Sequence, residues 1–118
     1  MNHKIARFLS EHSPETPCLV VDLDLIAEAY DLLCRYLSIA SVYYAMKANP
    51  APEIVAMLAR QGANFDVASP AEIALCLGNG ASADRLSFGN TIKKERDIAL
   101  AYEAGVRLFA FDSAGELE

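Results

Sequence analysis

The amino-acid sequence predicts an α/β fold of parallel strands joined by crossover helices, the first half of a (β/α)8 TIM barrel. Three observations carry this expectation. Strand-like runs end near Met46, Val67, Phe88 and Ala110, a period of 21 or 22 residues. Ser69 and Glu72 recur as Ser113 and Glu116, 44 residues on, which is two periods. The glycine-rich phosphate turns of open doubly wound sheets, G-x-G-x-x-G and G-x-x-x-x-G-K-S/T, do not occur. Equal strand–helix units in series are the pattern of a parallel sheet. Eight such units make a barrel of about 250 residues. The 118 residues here hold half that number, so the chain is expected to be the N-terminal part of a longer protein.

Each element has its own local reason. Residues 1–16 are polar and mixed, and Pro14 and Pro17 break them, so they read as irregular. Cys18–Val21 is a short apolar run of strand type. Asp22 or Asp24 can cap a helix whose apolar positions are Leu23, Ile26, Ala27, Tyr30, Leu33, Cys34 and Leu37. Residues 41–46 read as a strand stopped by the Asn49–Pro52 run. Pro52 then suits a first helical turn, Ile54, Val55, Leu58 and Ala59 form an apolar stripe, and Gly62 ends the helix. Residues 64–68 read as a strand. Ser69, Pro70 and Glu72 form a capping box for a helix with Ile73, Ala74 and Leu77 inward, closed by Gly78 and Gly80. Residues 85–88 are a strand, 91–103 a helix ending at Gly105, and 106–111 another strand. Ser113 and Glu116 open a further helix. The apolar strand runs suggest burial on both faces of the sheet.

Composition narrows the function. A net charge of −6, with 53% hydrophobic and 22% charged residues, is that of a globular domain with a sizeable core. The acidic balance argues against a nucleic-acid partner, which needs clustered Lys and Arg. Apolar stretches fall far short of the roughly 20 residues of a membrane span, and no secretory signal is evident. Cys18, Cys34 and Cys76 are widely spaced and form no C-x-x-C, so neither a metal site nor a disulfide framework is indicated. A reduced, cytoplasmic setting fits best.

In parallel α/β folds chemistry sits at the carboxyl ends of the strands. Four positions qualify: Lys47–Asn49, Ala68–Ser69, Gly89–Asn90 and Asp112–Ser113. Lys47 follows an apolar strand, where partial desolvation would favour the neutral amine that attacks an aldehyde cofactor. A lysine merely extending its charged end into water is the competing reading. Asp66 shares a strand face with Ala68, opposite Phe65 and Val67; it is a candidate for meeting Lys47 or a ligand, or else an ordinary ion-pair partner. Glu72 has a capping role that already explains it. Asp112 is a candidate of the same kind as Asp66, with capping as the plainer reading. Residues 93–96, with Lys93, Lys94 and Arg96, read as a solvated helix face. His3 and His12 have no partner cluster and are assigned no catalytic role.

Several runs, in order, carry a resemblance. Val42–Pro50 (VYYAMKANP) resembles the Y-A-V-K-x-N signature of the fold-type III pyridoxal-phosphate-dependent decarboxylases, the ornithine/diaminopimelate/arginine group related to alanine racemase. Thr16–Leu23 (TPCLVVDL), Gly62–Ile73 (GANFDVASPAEI), Ser87–Lys93 (SFGNTIK) and Phe111–Leu117 (FDSAGEL) are similar to further motifs of that family. The resemblance covers about residues 16–118 and is nearest the ornithine branch.

The resemblance implies an alanine racemase-like barrel and pyridoxal 5'-phosphate held on Lys47, with Asp66 and Glu72 beside the site. It implies decarboxylation of a small basic amino acid, L-ornithine to putrescine, with lysine, diaminopimelate or arginine as alternatives. It implies a cytoplasmic homodimer. Residues 1–22 would join a β-sandwich domain and residues 23–118 a partial cofactor-binding barrel. The phosphate loop, the partner of the ring nitrogen and the substrate-binding acid lie further along in the family. A non-catalytic half-barrel that binds a partner is the alternative of another class.

Overall fold

The computed structural model describes residues 2–117. Four short strands, β1 (Tyr43–Ala45), β2 (Asn64–Val67), β3 (Leu86–Phe88) and β4 (Leu108–Phe109), lie parallel and adjacent in chain order. Helices α3 (Pro52–Arg60), α4 (Pro70–Gly78) and α5 (Glu95–Glu103) make the crossovers. Helix α2 (Leu23–Tyr36) precedes β1, and α1 (His3–His12) opens the chain. In register, Tyr43 pairs with Asn64, Phe65 with Leu86 and Ser87 with Leu108, a constant step of 21 residues.

The core lies on one face of this sheet. Phe65, Val67, Leu86 and Phe88 are buried there against Ile54, Val55 and Leu58 of α3, Ile73 and Cys76 of α4 and Ala101 of α5. Each large apolar side chain so buried contributes about 1.5–3 kcal/mol. The other face carries Tyr43, Ala45, Asn64, Asp66, Ser87 and Leu108, none of them buried, with Leu108 half exposed. Burial is therefore one-sided, not two-sided as the apolar runs suggested. The alternation Asn64-Phe65-Asp66-Val67 explains it, since successive side chains point to opposite faces.

Local chemistry sets the helix ends. Asp22 caps α2 by accepting the Asp24 N–H at 3.0 Å. Pro52 and Pro70 occupy the first turns of α3 and α4. Gly62 and Gly105 leave α3 and α5 with φ of +76° and +100°, in the left-handed region that disfavours a side chain. At Gly105 an added Cβ would also come within 2.9 Å of Ala83.

Several expectations are corrected. Residues 3–12 are helical, not irregular: Asn2 caps them by accepting the Lys4 N–H at 2.9 Å, and Arg7 pairs with Glu11 one turn on. His3 and His12 thus sit on α1, His12 stacked on Phe8 with ring centroids 4.5 Å apart. Cys18–Val21 forms no strand and has no strand partner among the described residues, and Leu19 is 83% exposed. On α4 the buried pair is Ile73 and Cys76; Leu77 is half-buried and Ala74 exposed. Helix α5 starts at Glu95, not Thr91, because the chain first folds Lys93 inward. The helix expected after Ser113 is a 3-10 turn over Ala114–Glu116, and Ser113 makes no capping bond.

Candidate functional site

The carboxyl ends of β1, β2 and β3 meet at one small pocket. Beyond β1 the chain tightens into a 3-10 turn, Met46–Ala48, which buries Met46 in the core and leaves Lys47 exposed. Two bonds hold this turn. The Tyr44 hydroxyl donates to the Asn49 carbonyl at 3.0 Å, and Asn49 Oδ1 accepts the Ala51 N–H at 3.1 Å. Burial pushes the Tyr44 hydroxyl pKa up from its ordinary value. Lys47 is exposed, not desolvated as its place after an apolar strand suggested. Among the described residues no ion pair involves it.

Asp66 stands opposite Ala45 on one side and Ser87 on the other. Its carboxylate lies over Gly89, whose N–H continues the ladder to the Val67 carbonyl at 3.0 Å. A Cβ at Gly89 would fall 1.9 Å from Asp66 Oδ1, so the missing side chain makes the room this carboxylate uses. Glu72 sits in the first turn of α4. Its N–H donates to Ser69 Oγ at 3.3 Å, while Oε2 accepts the Ala68 N–H at 2.7 Å. The carboxylate therefore reaches one residue further back than in the standard capping box.

Lys47, Asp66 and Glu72 line this pocket together with Ala68, Gly89 and Asn90, around a volume of about 140 Å³. All three predicted residues converge. Gly89 and Asn90 had been marked only by their place after a strand; their share in the pocket depends on register, which no local pattern prints. Asp112 is exposed and outside the pocket, and its N–H donates to Glu116 Oε2 at 3.0 Å. His3 and His12 do not line it.

A larger groove of about 520 Å³ runs between α1 and residues 18–24. It is lined mostly by apolar side chains, and its one amine, Lys4, is engaged by Asp24 and, at 3.8 Å, Asp22. The smaller pocket gathers an amine with no ion-pair partner among the described residues and two carboxylates, which makes it the candidate site.

Lys93 was read as solvated and is not. Its side chain is 3% exposed, and the three N–H groups of Nζ are shared among four acceptors in range, the carbonyls of Asn90 (3.0 Å), Thr91 (2.9 Å) and Ala110 and Glu116 Oε1 (3.2 Å). Lys94 and Arg96 are exposed, as expected. The Asp112 N–H, and then Lys93, hold the Glu116 carboxyl below the usual carboxylate range. Burial, aided by Glu72, pushes the Cys76 thiol up to about 11, which makes it inert. Among the described residues no group of three or more metal-ligating side chains gathers.

Residues 23–118 match the family described as pyridoxal-dependent decarboxylase, pyridoxal binding domain. Over all 118 residues the chain is 38% identical to a lysine/ornithine decarboxylase of Selenomonas ruminantium, and spans 30% of that protein's length. It is 40% identical over 101 residues to a chloroplastic ornithine decarboxylase of Nicotiana glutinosa, covering 86% of this chain and 23% of the relative. The fold superposes with a TM-score of 0.85 on a lysine/ornithine decarboxylase from Vibrio vulnificus complexed with putrescine. That match has 32% identity over 98% of this chain and 31% of the other.

Proposed function

This chain belongs to the pyridoxal-dependent decarboxylases, and from that membership we propose that it supplies the cofactor-bearing lysine, Lys47, to the decarboxylation of a basic amino acid, L-ornithine foremost. The observation that supports the reading is the exposed, unengaged Lys47 amine in one pocket with Asp66 and Glu72. The relatives' names, ornithine and lysine/ornithine decarboxylase, support ornithine first and lysine second. The chain spans less than a third of those relatives, so the activity proposed is that of a protein in which this domain is one part.

The donor set fits an aldehyde cofactor. A primary amine is what binds the aldehyde carbon, and Lys47 Nζ is free to do so. Asp66 and Glu72 present carboxylates that complement the cationic groups of a basic amino acid and its bound cofactor. Glu72 is pre-set for this, because the Ala68 N–H already fixes its Oε2 at 2.7 Å. When bound, pyridoxal phosphate supplies the electron sink for the pair left as carbon dioxide departs. Lys47 is the residue that would hold the cofactor, and its Nζ, whenever not bonded to it, is a base at the pocket that could hold a proton.

The product proposed is the diamine putrescine. Residues 1–22 are assigned to a second, β-sandwich domain. The run Cys18–Val21, apolar and without a strand partner among the described residues, supports that assignment. A cytoplasmic homodimer belongs to the same proposal. No helix among the described residues is long and apolar enough to cross a membrane.

The test is chemical. The protein is incubated with pyridoxal phosphate, reduced with borohydride and digested, and the labelled peptide is sequenced. The label is expected on Lys47; a label on Lys93 or Lys94 with Lys47 unmodified refutes the assignment. Release of carbon dioxide from labelled ornithine and labelled lysine, measured side by side on the full-length protein, decides the substrate.

A further inference from the structure

Lys93, its side chain 3% exposed, has no part in the proposed reaction. A buried ammonium is costly unless its donors are met, and it has three N–H groups. Four acceptors surround Nζ: the carbonyls of Asn90, Thr91 and Ala110, and Glu116 Oε1. These acceptors come from three stretches of chain. Asn90 and Thr91 belong to the loop after β3, Ala110 follows β4, and Glu116 lies in the last 3-10 turn. Glu116 spends its other oxygen on the Asp112 N–H at 3.0 Å, so the link extends to the start of that turn. Asn90 is also a wall of the Lys47 pocket. Its Nδ2 donates to the Ile92 carbonyl at 2.6 Å, which folds the loop back toward Lys93.

We propose that Lys93 is a positioning residue: by clamping the β3–α5 loop to the end of β4, it holds Asn90 at the wall of the Lys47 pocket without touching the ligand there. The cofactor arm of this inference rests on the function proposed above; the loop arm does not. With the Nζ gone, the Asn90 and Thr91 carbonyls lose their common donor, and the loop is free to swing away from the pocket.

The experiment compares the wild-type full chain with Lys93→Met, Asn90→Ala and the double variant. Lys93→Met keeps most of the unbranched side chain and removes all three Nζ donors. Hydrogen exchange is read at the amides of residues 89–94 and 110–112, and pyridoxal phosphate affinity by absorbance titration. In Lys93→Met, exchange at those amides is expected to rise about tenfold or more. Cofactor affinity is expected to fall about tenfold. In the double variant it should fall no further than in Asn90→Ala alone, because the clamp acts through Asn90.

A purely structural lysine would give losses that add in full, and that result overturns the proposal; so does an affinity within about twofold of wild type in Lys93→Met. Should Lys93→Met fail to fold, Lys93→Gln, which keeps two donors on a shorter side chain, is judged by the same criteria. If the wild type takes no cofactor on Lys47, the proposed function fails, and exchange alone then decides the clamp: unchanged protection at residues 89–94 overturns it.

Discussion

Two lysines follow strands of this sheet, Lys47 after β1 and Lys93 after β3, and each has a glutamate of the same construction nearby. Glu72 accepts the N–H of Ala68, and Glu116 accepts the N–H of Asp112, each four residues back and 44 residues apart. The two ends differ in what remains. Glu116 turns its second oxygen to Lys93, and three carbonyls complete the shell around that amine. Around Lys47 no acceptor comes within bonding range among the described residues, and the amine stands in the open. Residue type and strand-end position are shared, so neither separates the lysine proposed to be reactive from the one proposed to be structural. What separates them is whether the amine's donors are already committed.

The sharpest way to break that comparison is to exchange amine for guanidinium at each end. Lys47→Arg keeps the charge but cannot bond an aldehyde carbon, so borohydride-trapped cofactor should vanish. Turnover of the full-length protein should fall by roughly 10²–10⁴, as expected for loss of an acid–base group. Lys93→Arg should leave the label on Lys47. Peptide mapping after reduction reads both, and a label that moves to Lys93 in Lys47→Arg would show that the two amines are not so different.

Stability should reverse the ranking. Lys93→Met removes a charged donor from four acceptors and is expected to cost about 2–3 kcal/mol. Lys47→Met removes an exposed, unengaged group and should change stability by less than about 0.5 kcal/mol. Urea denaturation of the two variants gives both figures, and equal losses would contradict the contrast.

The smallest effect is a pH dependence confined to the closed end. The folded Glu116 carboxyl is held below its usual value, so the folded state binds its proton less readily than the unfolded chain. Its stabilising contribution is complete above the ordinary carboxylate pKa and is lost as pH falls through the depressed value. Melting temperatures recorded from about pH 5 down to about pH 3 should therefore fall less steeply in Glu116→Gln than in wild type. An unchanged slope would place the acid sensitivity elsewhere.

Much of this was legible in the chain. The repeat of strand ends announced four parallel neighbours, because crossover units of equal length leave a period in the sequence. The caps at Asp22, Pro52, Pro70 and Ser69 were legible because each is settled within four residues. Lys47 and Asp66 were marked as candidates by position, since the ends of parallel strands are where side chains meet, and the two do line one pocket; position alone left their plainer readings open. The burial of Lys93 was not legible, because its acceptors Ala110 and Glu116 lie 17 and 23 residues away, while its neighbours Lys94 and Arg96 imitate a solvated run. Helix α1 was missed for a different reason: Ile5, Phe8 and Leu9 form one apolar stripe, but the prolines that follow drew the reading toward irregular chain. One-sided burial was written into Asn64–Val67 and was outweighed by the apolar strands around it.

The constant 21-residue step between paired strands bears on how the sheet comes together. Parallel sheets are usually slow to form, because distant stretches of chain must meet before any bond rewards them. Here every joint closes a loop of the same modest size, and closure entropy grows only with the logarithm of that size. Among the described residues, each strand pairs with its immediate predecessor. At a synthesis rate of roughly 5–20 residues per second, each new strand emerges about 1–4 s after the last. The sheet can thus be laid down one unit at a time during translation, its advancing edge always the most recently made strand.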